Sequence, residues 1–175
     1  MHWDDKFWQE LQRRAPLLCV DGVVVNDKGE VLLTKRKIEP FKGYWHLPGG
    51  HVDFEEMVEK AVVRVVKEES GIDAKRVSLV GVYSDPGRDP RGHFVTVGFL
   101  MKPVKGKERS DFQASSIKYF KELPEKMGFD AREIVKDGLK IWTTLRKAPY
   151  GDTQGKQGRH NSPHRLMDRP RVSGT

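Results

Sequence analysis

The chain has 175 residues with 37% hydrophobic and 33% charged side chains, enough for one domain with its own core and too apolar for wholesale disorder. A single cysteine, Cys19, excludes an internal disulfide or an all-cysteine zinc site and points to a reducing cytoplasm, and no apolar run nears the roughly 20 residues of a membrane helix. The net charge of +7 suits phosphate-bearing partners but does not separate a nucleotide from a nucleic acid. In chain order, Trp3, Phe7 and Leu11 recur at helical spacing, so a short helix is expected from Trp3 to Ala15, ended by Pro16. Leu17 to Asn26 has the pattern of a buried strand, interrupted by Asp21 and Gly22. The turn Asp27-Lys28-Gly29-Glu30 should return it as a hairpin to Val31–Arg36. A breaker-rich loop through Pro40, Gly43, Pro48, Gly49 and Gly50 leads to a helix from about Phe54 to Ser70, stopped by Gly71. Strands are expected over Val77–Tyr83, His93–Met101 and Ile117–Phe120, and a last helix over Asp130–Leu145. The mixture implies an α/β class in layers. One domain over 1–150 is expected, the N-terminal helix included, followed by a basic, disordered tail over 151–175.

The helix from Phe54 carries the chemistry. Phe54, Met57, Val58, Ala61, Val62 and Val65 fall on one apolar stripe at about 100° per residue, and Glu68 and Glu69 extend that face into the last turn. Two carboxylates on a packing face, at the negative end of a helix, call for a positive partner. A hard divalent cation such as Mg²⁺ would serve; so would fraying of the helix end, with Arg64 and Lys67 as pairing partners. Upstream, Gly49 and Gly50 allow close backbone approach and offer carbonyls and amides to a ligand.

The segment Gly50-x5-Glu56-x7-Arg64-Val65-Val66-Lys67-Glu68-Glu69-Ser70-Gly71-Ile72 resembles the Nudix box, and Gly43-Tyr44-Trp45-His46-Leu47-Pro48-Gly49-Gly50 is similar to the usual lead-in. The resemblance covers roughly residues 17–145. It implies a Nudix-type α/β/α sandwich around a mixed β-sheet, and Mg²⁺- or Mn²⁺-dependent hydrolysis of a nucleoside diphosphate linked to another moiety. Glu68, Glu69 and the Gly50 carbonyl would then ligate metal, Glu56 and Arg64 would brace the loop against the helix, and a homodimer would be expected.

Two positions depart from the pattern. Val65 stands where the family carries a glutamate, and Glu55 where a glycine is common. Either another acid serves as base, with Asp85, Asp89, Glu108, Asp111 and Glu122 as candidates, or the chain binds a nucleotide without hydrolysing it, as a regulatory module. In the stretch Tyr83 to His93, Arg88 and Arg91 can grip phosphates with forked hydrogen bonds while Pro86 and Pro90 stiffen the loop. That loop, and Phe129-Asp130-Ala131-Arg132-Glu133-Ile134, resemble the ADP-ribose pyrophosphatase subgroup, which makes ADP-ribose, cleaved to AMP and ribose 5-phosphate, the leading substrate. Nucleic-acid binding through the basic tail is a weaker alternative, since no motif for it is present.

Overall fold

The computed structural model describes residues 5–106 and 114–147. Trp3, Glu108, Asp111 and the tail expected over 151–175 lie outside the described residues. The order is α1 (Asp5–Arg14), β1 (Leu17–Val24), β2 (Val31–Arg36), β3 (Trp45–His46), β4 (Gly49–His51), α2 (Val58–Ser70), β5 (Asp73–Tyr83), β6 (Phe94–Lys105), β7 (Ala114–Phe120) and α3 (Ala131–Lys147).

Two sheets form the middle layer. One has the order β4-β1-β6-β5, with β1 parallel to β6 and both outer pairs antiparallel. The other, β3-β2-β7, is antiparallel throughout. Strands β1, β2 and β6 are buried on both faces, so alternate residues feed different cores. Val20, Val24, Leu32, Phe99 and Met101 pack with Ala61, Val62, Val65 and Val66 of α2. Val23, Val25, Leu33 and Leu100 pack with Ile134 and Val135 of α3. Double-sided burial is why these strands read as continuous apolar runs rather than as alternation. Each fully buried valine contributes about 1.5–3 kcal/mol relative to exposure. The helices therefore flank a mixed sheet layer, as the α/β/α expectation had it.

Two local expectations are corrected. The turn after Asn26 closes, with Asn26 Oδ1 accepting from the Lys28 and Glu30 N–H groups, and a bridge joins Val25 to Val31. Beyond that bridge the strands part: β1 pairs with β4 and β6, β2 with β3 and β7, so there is no extended hairpin. The second helix starts at Val58 rather than Phe54. Glu55 has a left-handed backbone at φ 61°, which an α-helix cannot contain. Phe54 and Met57 therefore leave the apolar stripe and are exposed. At the other end Gly71 at φ 73° donates to the Lys67 carbonyl and stops the helix as expected.

Candidate active site

Strand β4 lies antiparallel against β1, setting Asp21 opposite Gly49 and Val20 opposite Gly50. The approach is too close for any other residue at position 49: a Cβ there would stand 1.8 Å from Asp21 Oδ1 and 2.9 Å from the Val20 carbonyl. From this edge the chain turns into α2, whose last turn comes back under the same glycines. Glu69 Oε2 accepts a hydrogen bond from the Gly49 N–H at 3.1 Å. The acidic turn and the glycine turn, 20 residues apart in sequence, are thus joined directly.

Arg64 ties the two ends together. Its Nε and Nη2 donate to the two oxygens of Glu56 at 2.8 and 2.6 Å, Nη2 also reaches the His51 carbonyl at 3.1 Å, and Nη1 donates to Glu68 at 3.0 Å. The Arg64 fork holds the Glu56 carboxyl down at about 2, and Glu56 in turn raises the Arg64 guanidinium. Glu56 also accepts from the Asp53 N–H at 3.0 Å, closing the turn around the left-handed Glu55. Val65 is 4% exposed, packs with the α2 core and borders the same space, so its place in the site is apolar.

These residues line a cavity of about 510 Å³ between α2 and the start of α3. Gly49, Gly50, Arg64, Glu68, Glu69, Arg88 and Arg91 all border it; Glu56 stands just behind Arg64. Arg88 donates through Nε and Nη2 to Asp130 and through Nη1 to Thr96 at 2.6 Å, so all three of its nitrogens have partners within the protein. Arg91 is forked onto the buried Asp89 through Nε and Nη2. Of the acids considered as bases, Asp89 borders the cavity, whereas Asp85 caps its own turn through the Gly87 N–H and Glu122 is exposed elsewhere.

Asp21, Arg36 and Phe129 border the cavity, and sequence reasoning gave none of them a role there. Asp21 is half-buried and faces the cavity; burial pushes its carboxyl up to about 7, against the pull of Arg88. A lone acid inside the apolar run from Leu17 to Val25 was the available signal. Arg36, 8% exposed, sends Nε to the Pro40 carbonyl at 2.7 Å, while its Nη2 has no hydrogen-bond partner among the described residues. In sequence it looks like one more charge in Thr34-Lys35-Arg36-Lys37, because β2 is buried on both faces and gives no alternation to read. Phe129 had only its resemblance to a helix entry. Cys19 also borders the cavity rather than filling the core. Burial pushes its thiol up to about 12, which leaves it protonated and a poor nucleophile. Burial likewise pushes His46 down to about 3, so it faces the cavity neutral, its Nε2 2.9 Å from Thr34 Oγ1.

The donor set fits a hard cation. Among the described lining residues, six carboxylates (Asp21, Asp53, Glu68, Glu69, Asp89 and Asp130) face four guanidinium groups, with Cys19, His46, His51 and Thr96 as the other side chains that could donate to a ligand. Among the described residues no three of His, Cys, Asp and Glu converge into a ready-made cage.

The sequence and the fold have counterparts. The NUDIX domain profile matches residues 16–138. An ADP-ribose pyrophosphatase of Methanocaldococcus jannaschii is 44% identical over 127 residues, 71% of this chain and 74% of that protein. The MutT NUDIX hydrolase of Burkholderia pseudomallei superposes with a TM-score of 0.65 at 31% identity, over 71% of this chain and 98% of the other. The NUDIX domain of Shewanella oneidensis NrtR, solved with ADP ribose, gives a TM-score of 0.65 at 26% identity, over 81% and 94%. The chain belongs to the Nudix family and is a pyrophosphohydrolase of that family.

Proposed function

We propose that the chain hydrolyses ADP-ribose, with Mg²⁺ or Mn²⁺, to AMP and ribose 5-phosphate. The observation that carries this reading is the hydrogen bond from Gly49 to Glu69, which gathers the acidic turn and the glycine turn at one wall of a cavity large enough for a nucleotide. Glu68, Glu69 and the Gly50 carbonyl would hold the metal. Bound there, it would neutralise the diphosphate and activate the attacking water. The chain's own part is to shape and charge the space. Glu56 and Arg64 fix the loop against the helix, and Gly49 keeps β4 pressed onto β1. Arg91 faces the phosphates from the opposite wall, with Arg88 set by Asp130 behind it. Water adds across the P–O–P link, one phosphate leaving on adenosine and the other on ribose. The 44% identical ADP-ribose pyrophosphatase supports this substrate over other nucleotide sugars. The same reading has the enzyme act in the cytoplasm as a homodimer, on the strength of its single cysteine and of the family resemblance.

The test is a panel of ADP-ribose, sugar nucleotides, NADH and oxidised nucleotides, each with Mg²⁺, Mn²⁺ or chelator. Metal-dependent AMP release from ADP-ribose ahead of the rest is expected; no turnover of any of them contradicts the reading.

Val65 favours a second reading. With a valine in place of a carboxylate, cleavage would be impaired and the cavity would serve mainly to hold a nucleotide, as a regulatory module. Calorimetry would then register ADP-ribose binding with the ligand recovered intact.

A further inference from the structure

Opposite the acidic turn, the cavity has a wall of unusual make-up. Phe129 is held in the left-handed region at φ 54°, a conformation costly for an aromatic residue and tolerated mainly where surrounding structure enforces it. Phe41, also left-handed at φ 64°, sets its ring edge-to-face against it at 4.8 Å. Two guanidinium groups lie over that one Phe129 ring, Arg36 at 5.0 Å and Arg91 at 5.3 Å from its centroid, and Arg91 also lies 4.8 Å from the Phe94 ring.

The two arginines are unequal in what neutralises them. Arg91 is forked onto Asp89, which leaves Nη1 outside the fork. Among the described residues Arg36 forms no ion pair: its Nε spends itself on a backbone carbonyl, and Nη2 is buried with no hydrogen-bond partner. Burial, and then the like charge of Arg91, depress the Arg36 guanidinium below its ordinary value, against the pull of Glu69, Asp89 and Glu39. A buried guanidinium with an unsatisfied N–H, beside a second guanidinium, offers donors that a further acceptor on a ligand would satisfy. Stacking on a ring occupies the faces of a guanidinium and leaves its N–H edge for acceptors.

We propose that Phe129 is a positioning residue that sets Arg36 and Arg91 at a fixed separation, so that the wall takes two adjacent phosphoryl groups, one per guanidinium, in preference to one. The proposal deepens the hydrolase reading and rests on it for the identity of the ligand, a nucleoside diphosphate. The metal and Arg36 would then face the diphosphate from opposite sides, and a monophosphate would leave one guanidinium unanswered.

The experiment is calorimetric binding of ADP and of AMP in chelator, so that neither metal nor turnover enters. Phe129→Leu keeps apolar bulk without the aromatic face, Phe129→Tyr restores the face, and Arg36→Lys keeps the charge without the planar fork. Phe129→Leu and Arg36→Lys should each weaken ADP by about tenfold while AMP changes by less than about twofold, with Phe129→Tyr close to wild type. Circular dichroism checks folding, and Arg36→Lys decides alone if Phe129→Leu does not fold. Equal loss for both nucleotides, no loss for either, or a wild type that does not prefer ADP overturns the proposal. If this pattern holds but ADP-ribose is never cleaved, the hydrolase reading fails and the clamp stands. If ADP-ribose is cleaved and the pattern is absent, the clamp alone fails.

Discussion

Arg64 grips both oxygens of Glu56, at 2.8 and 2.6 Å, across the turn that carries the glycines to the helix. The pair is partly screened from solvent, the Glu56 side chain being 16% exposed. Charge-assisted bonds of this kind contribute about 1.5–3 kcal/mol each, and less where solvent screens them. Glu56→Gln should therefore lower the unfolding free energy at pH 7 by about 1–3 kcal/mol. With its carboxyl held at about 2 rather than 4.5, Glu56 stabilises the fold above pH 4.5, and that contribution is lost as pH falls towards 2. Denaturant melts of the two proteins should accordingly converge through that range. Curves that stay parallel down to pH 2 would contradict the brace.

Glu55 bears a second consequence of this turn. Its left-handed backbone at φ 61° favours glycine, and a side chain there costs about 1 kcal/mol. Glu55→Gly should raise the melting temperature by about 2–4 °C, while Glu55→Ala, which keeps Cβ, should not. Equal effects from the two would remove backbone strain as the cause.

Asp21 predicts a pH dependence of opposite sign. Because its carboxyl is raised from 3.8 to about 7, the folded chain holds this proton more tightly than the unfolded chain. Stability from it is complete below pH 4 and drains away as pH rises to about 7, on the order of 2–4 kcal/mol for a half-buried group with this shift. Asp21→Asn stays neutral and should keep what the wild type loses, so in chelator it should be the more stable protein at pH 8. A wild type that matches the variant at every pH contradicts this.

Val65→Glu places a third carboxylate beside Glu68 and Glu69 at a position that is now 4% exposed. Burying that charge should cost on the order of several kcal/mol in chelator. Added Mg²⁺ should restore the loss and bind more tightly than to wild type, both readable by thermal melts and calorimetry. A variant that metal does not rescue would mean that position 65 faces no cation site.

Much of the layout was legible because it rests on local signals. β2 emerged at its expected limits, Gly71 stopped α2, and the spacing from Gly50 to Glu69 located one wall of the cavity. What escaped depends on pairing across the fold. The turn at Asn26 looks like a hairpin, but both strands have stronger partners elsewhere, since each can bury two faces. Arg36 and Phe129 lie 93 residues apart in number and meet only when β2 and the start of α3 close the cavity. The commitment of Arg88 to Asp130, likewise, has no trace in the spacing of the loop that carries it.

The most direct measurement follows ADP-ribose by ³¹P NMR with Mg²⁺, for the wild type and for Glu68→Gln/Glu69→Gln. Conversion of the diphosphate signals into those of AMP and ribose 5-phosphate is expected for wild type, slowed by roughly 100-fold in the double variant with the fold intact. Diphosphate signals that persist with wild type, or products formed equally fast by the variant, would contradict a metal held at these two carboxylates.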